Sequence, residues 1–320
     1  MERILYHPAV SGLLAALMAV VVIHGAQLAP LALMLVSLPI YMTGFRNGSR
    51  AALLALTVPV FALLLEGREP LVLFLGLGPY LLLPWLVVRW VRERGLGLQQ
   101  AMGYGFLLGS VAVVLITLNG PTADPDSVLN HYLDLQKNAM VTEVTKQQTA
   151  SALSPEQQAA FVNAVEQIVH TMRYLFAALV VLAWFLIQTL NLHLSRVMLS
   201  AQGAWHGEGE EALRALRLPQ FWVWVVLLLV TFSYVGTGSL QQVAVNLLIF
   251  SLIPYLFQGW AVLDSWFRFK RIKRAIRLLF WAMVLLFWLQ QFMLMLVLMG
   301  LFDTWFDFRQ KMVESQNREG

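Results

Sequence analysis

The stretch WFRFKRIKRAIR, Trp266 to Arg277, packs six Lys or Arg into a dozen residues between two long apolar runs. A cluster of this kind stays on the cytoplasmic face, because moving several cations across a bilayer is opposed electrostatically and by the insertion machinery. The path of the chain can therefore be counted outward from it. Composition sets the class: 59% of residues are hydrophobic and 12% charged, with a mean hydropathy of +0.68, whereas soluble domains carry about 25% charge. The expectation is an all-α, polytopic transmembrane helical bundle. The net charge of +4 comes from cations beside the apolar runs, where they set orientation and meet anionic lipid. The lipid bilayer, not nucleic acid, is the expected partner. The chain has no cysteine, which excludes disulfides, thiolate nucleophiles and cysteine-ligated metal sites.

Going back to the N-terminus, the apolar run from Ala9 to Ile23 follows a lone Arg3. His24 and Gln27 precede Ala26 and Ala29 where a signal cleavage site would need small residues, so the run reads as an uncleaved first span. Apolar character continues to Thr43, too long for one crossing of about 20 residues, and predicts a second span after a tight turn. Further runs follow at Ala51 to Leu65, Leu71 to Val88, Ala101 to Leu118, Tyr174 to Leu194, Phe221 to Val235, Leu240 to Leu263 and Leu278 to Gly300. Residues 1–118 would hold spans one to five, 119–172 an extracytoplasmic helical insertion and 173–300 spans six to nine. The basic loop 264–277 falls between spans eight and nine, and 301–320 forms the tail. About nine spans with the N-terminus inside and the C-terminus outside puts fifteen of the 22 Lys and Arg on the cytoplasmic side.

The insertion has Val128, Leu129, Tyr132, Leu133, Leu135 and Met140 at spacings close to a helical stripe. Ser154, Pro155 and Glu156 form a cap, proline, acid start for a second helix. Such a pair of helices serves either as a lid or docking cap, or as a surface hairpin. Its histidines, His131 and His170, lie far apart without an acidic ligand pattern, and no metal site is expected.

Chemistry is sparse. HExxH, GxSG-like serine and P-loop motifs are absent, so neither enzymatic activity nor a cofactor is expected. No Asp, Glu, Lys or Arg falls in the middle of a span as drawn, which disfavours a proton pump. Uncharged polar residues do lie at depth: Gln188 and Asn191 in span six, and Gln241, Gln242, Asn246 and Gln258 in span eight. Gln188, Asn191, Gln242 and Asn246 are the ligand-binding candidates, and interhelical hydrogen bonding is the alternative role for each. Small residues supply the packing candidates: Gly12, Ala15, Ala16 and Ala19 on the first span, and Gly105 and Gly109 within GYGFLLG. In the ending GLFDTWFDFR, Gly300 to Arg309, Trp305 with Phe302 and Phe306 suits an interfacial belt. Asp303 and Asp307, four apart, would share a helix face, with Lys311 in reach of Asp307 and Arg309 in reach of headgroups.

In its spans, its long loop between spans five and six, and that ending, the chain resembles the YybS-like family of uncharacterised bacterial membrane proteins. Its first six spans are similar in layout to the S components of energy-coupling-factor vitamin transporters, whose first helix docks on a coupling subunit through an Ala-x-x-x-Ala pattern. Ala15 and Ala19 match that pattern, while three extra spans and the long insertion depart from it. These resemblances imply a bacterial cytoplasmic membrane protein, most simply a small-molecule binding or transport component with a membrane protein partner. The alternative is a non-enzymatic envelope assembly or scaffold protein.

Overall fold

The computed structural model describes residues 6–25, 27–65, 77–120, 128–147, 155–205, 217–284, 286 and 289–319. The expected start of the insertion's second helix at Ser154, the turn at Glu66 to Pro70, and Arg3, Arg68 and Arg214 lie outside them. Among the described residues the regular structure is helical throughout. The helices are α1 (Pro8–Ile23), α2 (Ala29–Leu35), α3 (Leu38–Asn47), α4 (Ser49–Leu65), α5 (Gly78–Glu93), α6 (Leu98–Asn119) and α7 (Val128–Gln147). They continue with α8 (Pro155–Tyr174), α9 (Phe176–Ala201), α10 (Phe221–Val235), α11 (Gly238–Phe269), α12 (Arg274–Met283), α13 (Leu289–Phe306) and α14 (Phe308–Glu319). Among the described residues four segments, Ala29–Asn47, Leu98–Asn119, Phe176–Ala201 and Gly238–Phe269, are long and apolar enough to cross a membrane. Shorter apolar helices are Pro8–Ile23, Ser49–Leu65, Phe221–Val235 and Gln291–Phe306.

The chain forms two compact units. The first comprises Met1–Leu108 and Ala183–Ala215. Prolines punctuate it. Pro8, Pro30 and Pro39 stand in the first turns of α1, α2 and α3, where a missing N–H costs nothing. Gly48, at φ +96°, turns the chain between α3 and α4, and its N–H closes on the Gly44 carbonyl at 2.8 Å. The small-residue face of α1 packs on α4: Ala15 and Ala19 are fully buried and Ala16 nearly so. A Cβ on Gly12 would sit 2.8 Å from the Ala55 carbonyl oxygen and 2.7 Å from Val58.

The second unit comprises Gly109–Leu182 and Leu216–Gly320, and α11 is its axis. At 32 residues it is about 48 Å long, well beyond the roughly 30 Å of a bilayer core. The N-terminal half of α11 pairs with α10 around Val223, Val226 and Tyr255. Its C-terminal half pairs with α13 around Leu263, Phe267 and Leu296. Gly259 and Gly300 are the crossing point of α11 and α13: a Cβ on either would come within 2.0 Å of a carbonyl oxygen, Leu296 for Gly259 and Tyr255 for Gly300. Only glycine lets two backbones approach so closely.

Three expectations are corrected here. The run Leu278 to Gly300 is not one straight helix: α12 and α13 divide it, and the Phe280 and Trp281 rings stand 5.4 and 5.7 Å from Phe292, closer than eleven or twelve residues of continuous helix would allow. Second, Leu135 is 54% exposed and outside the apolar stripe of α7. Leu133 instead packs with Val165, Val169 and Val141, because residues two apart sit about 200° apart around a helix. Third, the inside link up to Pro219 and the tail from 301 cannot face opposite sides. Arg217 and Asp307 form an ion pair at 2.7 Å, and Leu218 N–H donates to Gln258 at 3.0 Å while Gln258 donates to Asp303 at 3.1 Å. No such contact spans a bilayer core of about 30 Å.

Candidate functional site

In the first unit a proline creates the site's central acceptor. Pro84 lies inside α5 and has no N–H, so the Tyr80 carbonyl four residues earlier loses its intrahelical donor. Ser37 Oγ donates to that oxygen at 2.5 Å, and Gln188 Nε2 donates to it at 3.3 Å and to Ser37 Oγ at 3.0 Å. Tyr41 OH donates to Gln188 Oε1 at 3.2 Å. One turn along α9, Asn191 Nδ2 donates to the Met34 carbonyl at 2.7 Å, which the interruption between α2 and α3 leaves outside the helix ladder. Ser37, Tyr41, Gln188 and Asn191 are all at most 3% exposed. Asn191 Oδ1, also buried, has no hydrogen-bond partner among the described residues. The result is an uncharged polar cluster built from the helix-break of the Ala29–Asn47 span, α5 and α9, inside an apolar surround.

The pair Gln188 and Asn191, three residues apart, belongs to one helix face, so α9 presents both to the same place. Gln242 and Asn246 do different work in the second unit. Asn246, fully buried, accepts from Ala178 N–H at 2.9 Å and donates to the Tyr174 carbonyl at 2.9 Å. Its amide therefore stands between the two backbone groups that a continuous helix would join directly at i and i+4. Gln242 donates to the same carbonyl at 3.1 Å. Together they hold the junction between α8 and α9. The structure thus brings the four ligand candidates together as two separate pairs, one in each unit.

Among the packing candidates, Gly109 lies against Phe250 and Val181, where a Cβ would be 2.6 Å from the Phe250 ring. Gly105 has only ordinary contacts at 3.9 Å, with Leu83 and Phe185. The face containing Gly12, Ala15, Ala16 and Ala19 is buried and packs on α4; the exposed large apolar residues of α1 are Leu13, Leu14 and Leu17.

The tail is a packed network and not one solvated helix face. Asp303 and Arg309 are 4% and 8% exposed and pair at 2.9 Å. Phe308 N–H donates to the other Asp303 oxygen at 3.0 Å. Asp307 interrupts the helix at φ +43°, so it does not share a helical face with Asp303. It pairs with Arg217, while the Lys311 ammonium sits 5.6 Å from the Phe306 ring. Trp305 is 51% exposed beside exposed Phe302 and Phe306, as an interfacial ring belt requires.

Ser37, Tyr41, the Tyr80 carbonyl and the Gly259 to Gly300 crossing were not singled out from the residues alone. The available signal was a proline four residues after Tyr80, and after Ala55 in the case of Pro59, since each such proline predicts a carbonyl in need of an outside donor. Among the described residues two apolar grooves occur: one of about 650 Å³ on α4 around Leu56, Phe61 and Leu64, the other of about 320 Å³ lined by residues of α12 and α13. Comparison with curated proteins and with solved structures finds no match. A family model described as predicted membrane protein (DUF2232) matches residues 13–304, most of the chain, and this helical chain with its several apolar, membrane-compatible helices belongs to that family.

Proposed function

We propose that this protein is a non-enzymatic small-molecule binding or transport component of the bacterial cytoplasmic membrane, with its site at the Ser37, Tyr41, Gln188 and Asn191 cluster. The observation that carries the reading is the proline-freed Tyr80 carbonyl, met by side chains from an interrupted helix and from α9. Interrupted spans with released carbonyls and converging polar groups are the construction by which transporters hold substrates within the bilayer. Because the cluster holds amides and hydroxyls and no charge, its ligand class is a small neutral polar molecule. Asn191 Oδ1 supplies a ready acceptor for it. Docking through Ala15 and Ala19, as in an S component, finds no support, since α4 covers both.

A second reading, an envelope scaffold, is favoured by the internal engagement of the cluster's donors. The experiment that separates the two is mass spectrometry of small molecules released by denaturing the purified full-length protein. Transport predicts one neutral polar compound recovered near stoichiometrically from wild type and lost from Gln188→Leu, with the near-UV circular dichroism unchanged. A scaffold predicts no retained compound and a lowered melting temperature alone.

For orientation we propose eight crossings with both termini cytoplasmic, α12 and α13 folding back from the inner side. The Arg217 to Asp307 pair supports this. Moving Arg309, Lys311 and Arg318 inside leaves only Arg68, Lys137, Lys146 and Arg173 of the 22 cations outside, a stronger bias than the nine-span path has.

A further inference from the structure

The basic cluster carries more charge than the fold neutralises. Asp264 pairs with Arg268 at 3.2 Å and with Arg277 at 3.5 Å, which leaves Lys270, Arg271, Lys273 and Arg274 exposed and without an ion-pair partner among the described residues. Arg274 opens α12, a strongly amphipathic ten-residue helix with no buried residue. Arg274 and Arg277 share one side of it. Ile276, Leu279 and Met283 share the other, and are 56%, 64% and 48% exposed. Besides the Arg277 to Asp264 pair, Phe280 and Trp281 make ring contacts, with Phe267 and Phe292. The helix therefore meets Phe292 of α13 through its rings and leaves a cationic edge next to an apolar face.

We propose that Lys270 to Met283 is an in-plane interfacial element that binds anionic phospholipid headgroups. The four free cations engage phosphate, and Ile276, Leu279 and Met283 enter the acyl boundary. Charge complementarity selects the occupant: a cationic edge bordering an apolar face matches a surface that is anionic outside and apolar a few ångströms deeper. Water alone would leave the apolar face exposed, and a neutral lipid would leave the cations uncompensated. This inference does not depend on the transport reading.

The test is native mass spectrometry of the full-length protein in detergent, titrated separately with phosphatidylglycerol, phosphatidylcholine and inorganic phosphate. Phosphatidylglycerol is expected to bind on the order of tenfold or more tightly than phosphatidylcholine, since each surface cation contributes to headgroup attraction. The quadruple variant K270Q/R271Q/K273Q/R274Q is expected to remove that preference, and inorganic phosphate is expected not to displace the lipid. Equal binding of the two lipids, a preference that survives the variant, or displacement by phosphate would each overturn the proposal. A nitroxide on Leu279→Cys, placed in the otherwise wild-type chain, gives a readout independent of the variant's folding. In vesicles of phosphatidylcholine with about one third phosphatidylglycerol, it should be reached by lipid-soluble oxygen and shielded from a water-soluble nickel chelate, and the reverse accessibility would also overturn the proposal.

Discussion

Single residues decide the second unit's closest contacts. Gly259 and Gly300 each face a backbone carbonyl at a distance no Cβ can occupy, so the crossing can accept an alanine only by separating α11 and α13. Gly259→Ala and Gly300→Ala should each destabilise by about 1–3 kcal/mol or more, read as a fall in the detergent melting temperature. Gly103→Ala is the control: nothing lies within 4 Å of its Cβ position, and the helix should be unchanged or stabilised by up to about 1 kcal/mol. Equal effects at all three positions would mean the crossing is not tight. The Asp303 to Arg309 pair poses a different problem, because both groups are buried. Asp303→Asn leaves a guanidinium without its counter-charge and should cost about 3 kcal/mol, whereas adding Arg309→Met should recover most of it. A double variant as unstable as the single one would show that the ion pair itself, and not the uncompensated charge, carries the effect.

At the scale of elements, the junction between α8 and α9 is held by a side chain from a helix some seventy residues away. Removing the Asn246 amide strands Ala178 N–H and takes one donor from the Tyr174 carbonyl, a loss of about 1–3 kcal/mol. In Asn246→Leu the amides following Leu175 should exchange with deuterium faster, while Gln242→Leu, which removes one of two side-chain donors to that carbonyl, should change little. Identical protection in Asn246→Leu and wild type would show that the junction holds without the clamp. On α1, the face seen from the residues as a docking pattern is an internal packing face. Ala15→Leu with Ala19→Leu should therefore lower the yield of folded protein through the contact with α4. An undiminished yield and melting temperature would contradict that packing.

For the whole molecule, the arrangement of α10, α11 and α13 along one long helix has a consequence for topology. Because α13 accompanies the C-terminal half of α11 and α10 the N-terminal half, the tail returns to the level at which α10 begins. Single cysteines can be introduced without background, since the chain has none. A membrane-impermeant thiol reagent applied to intact cells should label Lys137→Cys and spare Lys270→Cys and Lys311→Cys. Labelling at 311 together with 137 would restore the outside tail and break the Arg217 to Asp307 contact.

The sequence alone determined the solvent and the local structure. Apolar runs of helical length, cations at their ends and prolines at helix starts report transfer free energies and backbone restrictions that act over a few residues. Membrane residence, helical class and most helix boundaries were therefore legible. Tertiary structure alone decided which groups meet. Gln188 could equally have faced lipid, a ligand or a neighbour until the fold placed it beside a carbonyl freed by Pro84, more than a hundred residues away. Asp303 and Asp307 have the spacing of one helical face, yet a left-handed residue at 307 sends one carboxylate into the interior and the other to Arg217. The shared side of link and tail has the same origin: it depends on packing between segments far apart in the chain, and spacing within a segment carries no information about that.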